Sequence, residues 1–223
     1  MTATPVRTTQ SASATSQQLR PGRAGLRLTW LHLVSRRVPA TLAALAACAI
    51  GLRIALAWHW DTYGALQLPL IFEALVAAVV AVTTASPLGE PERATGLRLP
   101  LLRLATTVAL TVIAAGSLAI AGTGGHLAGG TLDVLRNVAG LTGIGLLCAA
   151  ALGGALAWTG PLAFMVVGAY GLYTDWHGPT LTTPWIWPAR PAHDAGAALC
   201  AGLLMAVGLA VVTVRGARDP AGE

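Results

Sequence analysis

Charged residues are scarce in this sequence. They make up 10% of the 223 residues, whereas 55% are apolar. A soluble domain is roughly one quarter charged, so this composition excludes an ordinary globular fold in water. The few charges leave apolar segments of about twenty residues, the length that crosses a hydrocarbon core about 30 Å thick. The composition therefore predicts an all-α integral membrane protein with no sizeable soluble domain.

Lysine is missing altogether, and cysteine is rare. All 14 basic residues are arginine and lie beside apolar segments, so the pI near 9.9 does not indicate a nucleic-acid partner. Cys48, Cys148 and Cys200 lack the spacing of a disulfide framework or a zinc motif. Nucleophile motifs and the phosphate-binding Gly-x-x-x-x-Gly-Lys-Ser/Thr loop are also absent. We expect no catalytic residue, no metal site and no cofactor in this chain, and therefore no enzyme.

Six apolar segments are predicted to cross the bilayer, at about 39–58, 68–86, 100–121, 131–157, 162–173 and 195–214. The fifth is short enough that a re-entrant segment remains an alternative. Together they form one transmembrane domain over residues 22–215. The preceding residues 1–21 are rich in Ser, Thr and Gln and are predicted to be a disordered cytoplasmic tail, and residues 216–223 form a second tail.

The distribution of arginine predicts the orientation, because basic residues are retained on the cytoplasmic side. With both termini inside, the outer side holds Arg136 and Arg190, and Arg53 lies within the first span. The cytoplasmic side then holds the other eleven of the 14 arginines: Arg7, Arg20, Arg23, Arg27, Arg36, Arg37, Arg93, Arg98, Arg103, Arg215 and Arg218. We therefore expect a multi-pass plasma membrane protein with cytoplasmic termini. Its outer aromatic belt would comprise Trp58, Trp60, Trp176, Trp185 and Trp187.

The segment from Gly22 to Arg37 precedes the first span and is both apolar and basic. Leu26, Trp30 and Leu33 share one helical face, which predicts an amphipathic helix at the membrane interface. The alternative is a basic flank that only fixes orientation. In either case the segment lies against the inner leaflet.

Arg53 and Glu73 are ionisable residues inside apolar spans. An unpaired charge there costs at least about 2.5 kcal/mol, so each needs compensation. Both lie ten residues from Tyr63, at the centre of the hairpin between the first two spans. We therefore predict an intramembrane ion pair, or a shared polar cavity, between Arg53 and Glu73. Such a pair either locks the hairpin or belongs to a substrate path.

The last span carries small residues at four-residue spacing, which allow a neighbouring helix to approach closely. This small-residue ladder comprises Ala198, Gly202, Ala206 and Ala210. Such ladders serve helix packing within a subunit or at a dimer interface, and the spacing does not distinguish the two.

The loop after the second span resembles a segment of the permease subunits of type-two ABC exporters. Here Glu92-Arg93-Ala-Thr-Gly96-Leu-x-Leu is similar to the Glu-Arg-x-x-Gly-Thr-Leu-x-Leu-Leu pattern of that family, with Leu97 in place of Thr. The six spans and the preceding amphipathic helix also fit the family. Further stretches, LRNVAGLTGIGLLCAAALGG and TTPWIWPARP, look like parts of actinobacterial membrane proteins of this kind.

The resemblance implies a function and a set of partners. Glu90, Glu92, Arg93 and Gly96 would form a loop that couples the chain to a separate ABC ATPase subunit, and a second permease copy or paralogue would complete a dimer in the bilayer. Polar residues of the third and fourth spans could then face a path, although Ser and Thr in such helices more often bond their own backbone. These residues are Thr106, Thr107, Thr111, Ser117 and Thr142. The alternative is a membrane anchor or regulatory protein that transports nothing.

Overall fold

The computed structural model describes residues 38–58, 62–84, 98–123, 127, 129–177 and 183–215. All six long elements in these ranges are helices, and the described residues contain no strand. The helices are α1 (Val38–Leu56), α2 (Thr62–Thr83), α3 (Arg98–Ala121), α4 (Gly130–Leu152), α5 (Thr159–His177) and α6 (Ala195–Arg215). Each is long and apolar enough to cross a membrane, which confirms the all-α, polytopic membrane fold. The amphipathic segment 22–37 lies outside the described residues.

Three helices differ clearly from their predicted bounds. Helix α2 begins at Thr62 and ends at Thr83, whereas its span was predicted at 68–86. Helix α4 ends at Leu152 because Gly153 has a φ of 92°, a conformation that favours glycine and ends a helix. A 3-10 turn, Gly154–Leu156, then leads directly into α5. Helix α5 has 19 residues and continues past Tyr173 to His177, so it is longer than the predicted 162–173. Its apolar stretch, Gly154–Thr174, has 21 residues, enough for a full crossing.

Helix α4 is the most buried of the six and lies at the centre of the bundle. Leu45 of α1, Val76 of α2, Leu118 of α3 and Val138 of α4 belong to one apolar cluster. A second cluster joins α2, α4 and α5 through Leu70, Ala74, Ala77, Leu141 and Leu172. Because α4 contributes to both clusters, its orientation determines where the polar side chains of the bundle meet.

Helix α6 approaches α4 at backbone contact. A Cβ built on Gly143 would lie 2.5 Å from the backbone carbon of Leu204, and one built on Gly208 would lie 2.7 Å from the carbonyl oxygen of Gly143. Any larger residue at these two positions would separate the helices. Ala197 and Ala201 continue the same buried face of α6.

Successive helices run in opposite directions, so the bundle has two ends. We call the end where α1, α3 and α5 finish the cap end; by the distribution of arginine it is predicted to face outward. The residues 183–194 between α5 and α6 are called the cap segment, and they include a 3-10 helix, Trp187–Ala189.

The cap segment inserts between the helices and does not lie flat on the bundle. Trp187 is 1% exposed and stacks on Phe164 of α5, with ring centroids 4.2 Å apart. Gly140 of α4 makes room for the indole, since a Cβ there would lie 2.6 Å from the ring. The prediction that Trp187 belongs to an interfacial belt is therefore wrong. Trp58 and Trp185 are exposed at this end, as a belt requires.

Candidate functional site

Glu73 is an acidic side chain buried in the middle of α2. It is 2% exposed and lies eleven residues after the first residue of the helix, or about 16 Å along its axis. The Asn137 side chain of α4 donates a hydrogen bond from Nδ2 to Glu73 Oε2 over 2.9 Å. An ionisable residue inside a membrane domain is costly and is therefore a candidate for function. Glu73 and Asn137 are the centre of the candidate site.

The predicted ion pair between Arg53 and Glu73 does not form. Arg53 Nη1 donates to the carbonyl oxygen of Thr123, just after the last residue of α3, over 2.7 Å. Helix α1 ends at Leu56, only three residues after Arg53, so the long arginine side chain is close to the cap end while Glu73 is at mid-helix. Basic side chains commonly satisfy the last carbonyls of a helix in this way. Equal counting from Tyr63 placed the two residues at one depth because it assumed a symmetric hairpin.

A second carboxylate, Asp133, lies one turn from Asn137 on α4. It pairs with the buried guanidinium of Arg136. Arg136 also donates to two carbonyl oxygens of the cap segment, over 2.8 Å to Pro191 and 3.1 Å to Arg190. One arginine therefore neutralises Asp133 and fastens the cap segment to α4.

The cap segment is joined to α6 by a further pair. Arg190 donates to Asp194 Oδ2 over 2.8 Å from Nε and 2.5 Å from Nη2. Asp194 Oδ1 accepts the N–H of Ala197 over 3.0 Å and so caps the start of α6. The Ala197 N–H, followed by the Arg190 guanidinium, holds the pKa of Asp194 below its usual range. Asp194 is therefore ionised at neutral pH.

A small cavity lies between α2, α4, α5 and the cap segment. Its volume is about 20 Å³, counted as the space open to the centre of a water molecule, which is room for about one water. Glu73, Asp133 and Asn137 supply its polar wall. The remaining wall residues are Ala65, Leu66, Pro69, Leu70, Leu127, Gly129, Gly130, Val134, Leu172 and Pro188.

Pro69 interrupts the hydrogen bonding of α2 at this cavity. Proline has no N–H, so the carbonyl of Ala65, four residues earlier, loses its usual helical donor. Ala65 and Pro69 both line the cavity, one turn or two before Glu73. The interrupted turn of α2 and Glu73 therefore line the same small cavity.

No protein-family model, curated protein or solved structure matches this chain. What the site can bind is therefore inferred from its own geometry. Two carboxylates and an amide can hold a water, a proton or a small cation. Among the described residues, no three His, Cys, Asp or Glu side chains form a group suited to a metal ion.

The predicted small-residue ladder of α6 lies on the exposed face of that helix. Ala198, Gly202, Ala206 and Ala210 are all exposed, and a Cβ on Gly202 would meet no atom within 4 Å. Packing within the subunit uses the adjacent row instead, which contains Ala197, Ala201 and Gly208. The use of the ladder for packing within this chain is therefore wrong, and its use at a dimer interface stays a prediction.

The hydroxyl groups expected along a path bond mainly to their own helix. Thr106, Thr107, Thr111 and Ser117 each donate to a carbonyl three or four residues earlier on α3. These contacts confirm the alternative, that the hydroxyl groups bond to the backbone of their own helix. Thr142 is fully buried and its hydroxyl has no partner among the described residues. The predicted coupling residues Glu90, Glu92, Arg93 and Gly96 lie outside the described residues.

Asn137 and Asp133 were not recognised as site residues from the sequence, and Arg136 entered only the orientation argument. A signal was present. Asp133, Arg136 and Asn137 fall within the first eight residues of an otherwise apolar helix, and the Asp-x-x-Arg spacing places the first two on one face.

Proposed function

We propose that this chain is the membrane-spanning permease subunit of an ATP-driven export system, working with a separate ABC ATPase. The observation that supports a transport role is the buried Glu73–Asn137 pair in the wall of a cavity inside the bundle. A carboxylate in the middle of a membrane helix is costly, and such residues commonly mark substrate or ion pathways. The ATPase part of the proposal rests on the resemblance of the loop containing Glu92 and Arg93.

The proposal predicts a complex that depends on this loop. An affinity-tagged chain, purified from its own membranes in mild detergent, should retain an ATPase subunit that mass spectrometry can identify. Changing both Glu92 and Arg93 to Ala should abolish this co-purification. The double change Arg218→Ala with Asp219→Ala is the matched control, since it removes the same charges from the C-terminal tail, which is predicted to lie on the same side.

Retention of the ATPase by the Glu92 and Arg93 double variant would contradict the coupling role of the loop. Purification of the parent chain without any ATPase would contradict the exporter proposal as a whole.

A second candidate function is a membrane anchor or regulator that transports nothing. The size of the cavity favours it, because about 20 Å³ admits no organic substrate in this conformation. Backbone contact between α4 and α6 likewise leaves no passage at that crossing. Such a protein would retain a partner without a phosphate-binding loop in the same purification.

A further inference from the structure

In the described part of the chain, the cavity is surrounded by two carboxylates, Glu73 and Asp133, but by one arginine, Arg136, so one negative charge is not compensated. Asp133 has the Arg136 guanidinium and lies in the first turn of α4, where the helix dipole favours an anion. Glu73 accepts one hydrogen bond, from the neutral amide of Asn137. Among the described residues, Glu73 and Asp133 are the charged members of the cavity wall, and Arg136 is the cation behind them. The deficit therefore falls on Glu73.

The cavity also carries an oxygen that lacks a donor. Asn137 is 3% exposed, its Oδ1 has no hydrogen-bond partner, and it lies in the wall beside Glu73. A buried acceptor left without a donor is unfavourable. Ala65, whose carbonyl loses its helical donor to Pro69, also lines this cavity. Interrupted helices with free carbonyls coordinate small cations in other membrane proteins.

We propose that this cavity binds one monovalent cation, received jointly by Glu73 and Asn137 Oδ1. A single positive charge cancels the deficit, and the volume of about 20 Å³ holds one ion of the size of a water molecule. The charge is supplied either by Na⁺, coordinated by these oxygens, or by a proton on Glu73, whose hydroxyl then serves as a donor for Asn137. Ca²⁺ does not fit, because its second positive charge exceeds the single negative charge that Arg136 leaves uncompensated.

The position of the wall gives the route of entry. Gly129 and Gly130 at the start of α4, together with Pro188 of the cap segment, form part of it. The cation therefore enters from the cap end, past the segment that Arg136 holds in place. Cation binding in this cavity requires no ATPase partner, so it can be present or absent whether or not the chain belongs to an exporter.

The test is the thermal stability of the purified full chain in detergent. A cation that binds the folded state raises Tm in proportion to the logarithm of its concentration once the site is half filled. Na⁺ is titrated at alkaline pH against choline, with the ionic strength held constant. We expect Tm to rise with Na⁺ and not with choline, and Glu73→Gln to abolish the rise while preserving shape. Asp133→Asn should raise the Na⁺ concentration for half the effect by about tenfold or more.

Asp194→Asn is the matched control, because it removes a carboxylate at the cap end that does not line the cavity. It should keep the full Na⁺ response. If Glu73→Gln fails to fold, Glu73→Asp replaces it, which keeps the charge but shortens its reach and should weaken the response.

A proton is the bound charge if Na⁺ has no effect. In that case the infrared spectrum of the parent chain should contain the carbonyl band of a protonated carboxyl group, lost in Glu73→Gln and retained in Asp194→Asn. The proposal is overturned if Tm is the same in Na⁺ and choline and no such band depends on Glu73.

Discussion

Replacing Gly143 with alanine should weaken the contact between α4 and α6 in a way that the structure makes quantitative. The added Cβ would lie 2.5 Å from the backbone of Leu204 and Met205, where ordinary contacts begin at 3.4 Å, so the helices must separate by about 0.9 Å. A gap of this size forfeits a quarter to a half of the dispersion energy of each affected contact. Because the obstacle is backbone, no rotamer change relieves it. We expect a loss of about 2–3 kcal/mol in the free energy of unfolding.

Gly202→Ala supplies the matched control on α6. A Cβ there meets no atom within 4 Å, and alanine is a better helix former than glycine by about 0.5–1 kcal/mol. The two substitutions add the same methyl group to the same pair of helices, yet they should change stability in opposite directions.

The assay is reversible unfolding by a denaturing detergent, followed by helical circular dichroism, with the oligomeric state measured in parallel by light scattering. Equal effects of Gly143→Ala and Gly202→Ala would refute the assigned packing face of α6. A loss of stability in Gly202→Ala together with dissociation of a dimer would instead assign the ladder to an intermolecular contact.

Three further substitutions test the polar contacts. Arg136→Met leaves the Asp133 carboxylate and two carbonyl oxygens of the cap segment without their donor. It should lower the free energy of unfolding by about 3 kcal/mol or more. It should also make the cap segment more sensitive to proteases in limited digestion. Thr142→Val removes a buried hydroxyl without a partner at nearly constant volume, and the same unfolding titration should show no loss or a gain of about 1 kcal/mol. Asp194→Asn should lower Tm above the unfolded-state carboxyl pKa of about 3.9, because the depressed pKa of Asp194 stabilises the fold there. As the pH falls through the lower folded-state pKa, that stabilisation is lost and the two melting curves should converge.

The number of helices follows from the sequence because apolar length alone determines what can cross a bilayer. Helix α3, predicted at 100–121, was found at Arg98–Ala121. The rotation of each helix about its axis does not follow, since a helix that is apolar on all sides gives no periodic signal for its buried face. Two adjacent rows of small residues on α6 illustrate the difficulty, for the row with Gly208 packs and the row with Gly202 does not.

The same limit applies to the candidate site. Glu73 was identified because a single acid in an apolar run is conspicuous, but its partner depends on which neighbour faces it. Equal distance from Tyr63 in the hairpin suggested Arg53, whereas the observed partner, Asn137, is 64 residues away along the chain. An uncharged amide among three polar residues at the start of a span carries little signal by itself.

Arg136 and Asn137 are consecutive on α4, and one fastens the cap segment while the other holds Glu73. A single helical turn thus supports both the attachment of the cap segment and the buried contact with Glu73. Rotation of α4 about its axis cannot alter one without straining the other. Cation binding at Glu73, as proposed, would therefore be linked mechanically to the contact between α4 and the cap segment.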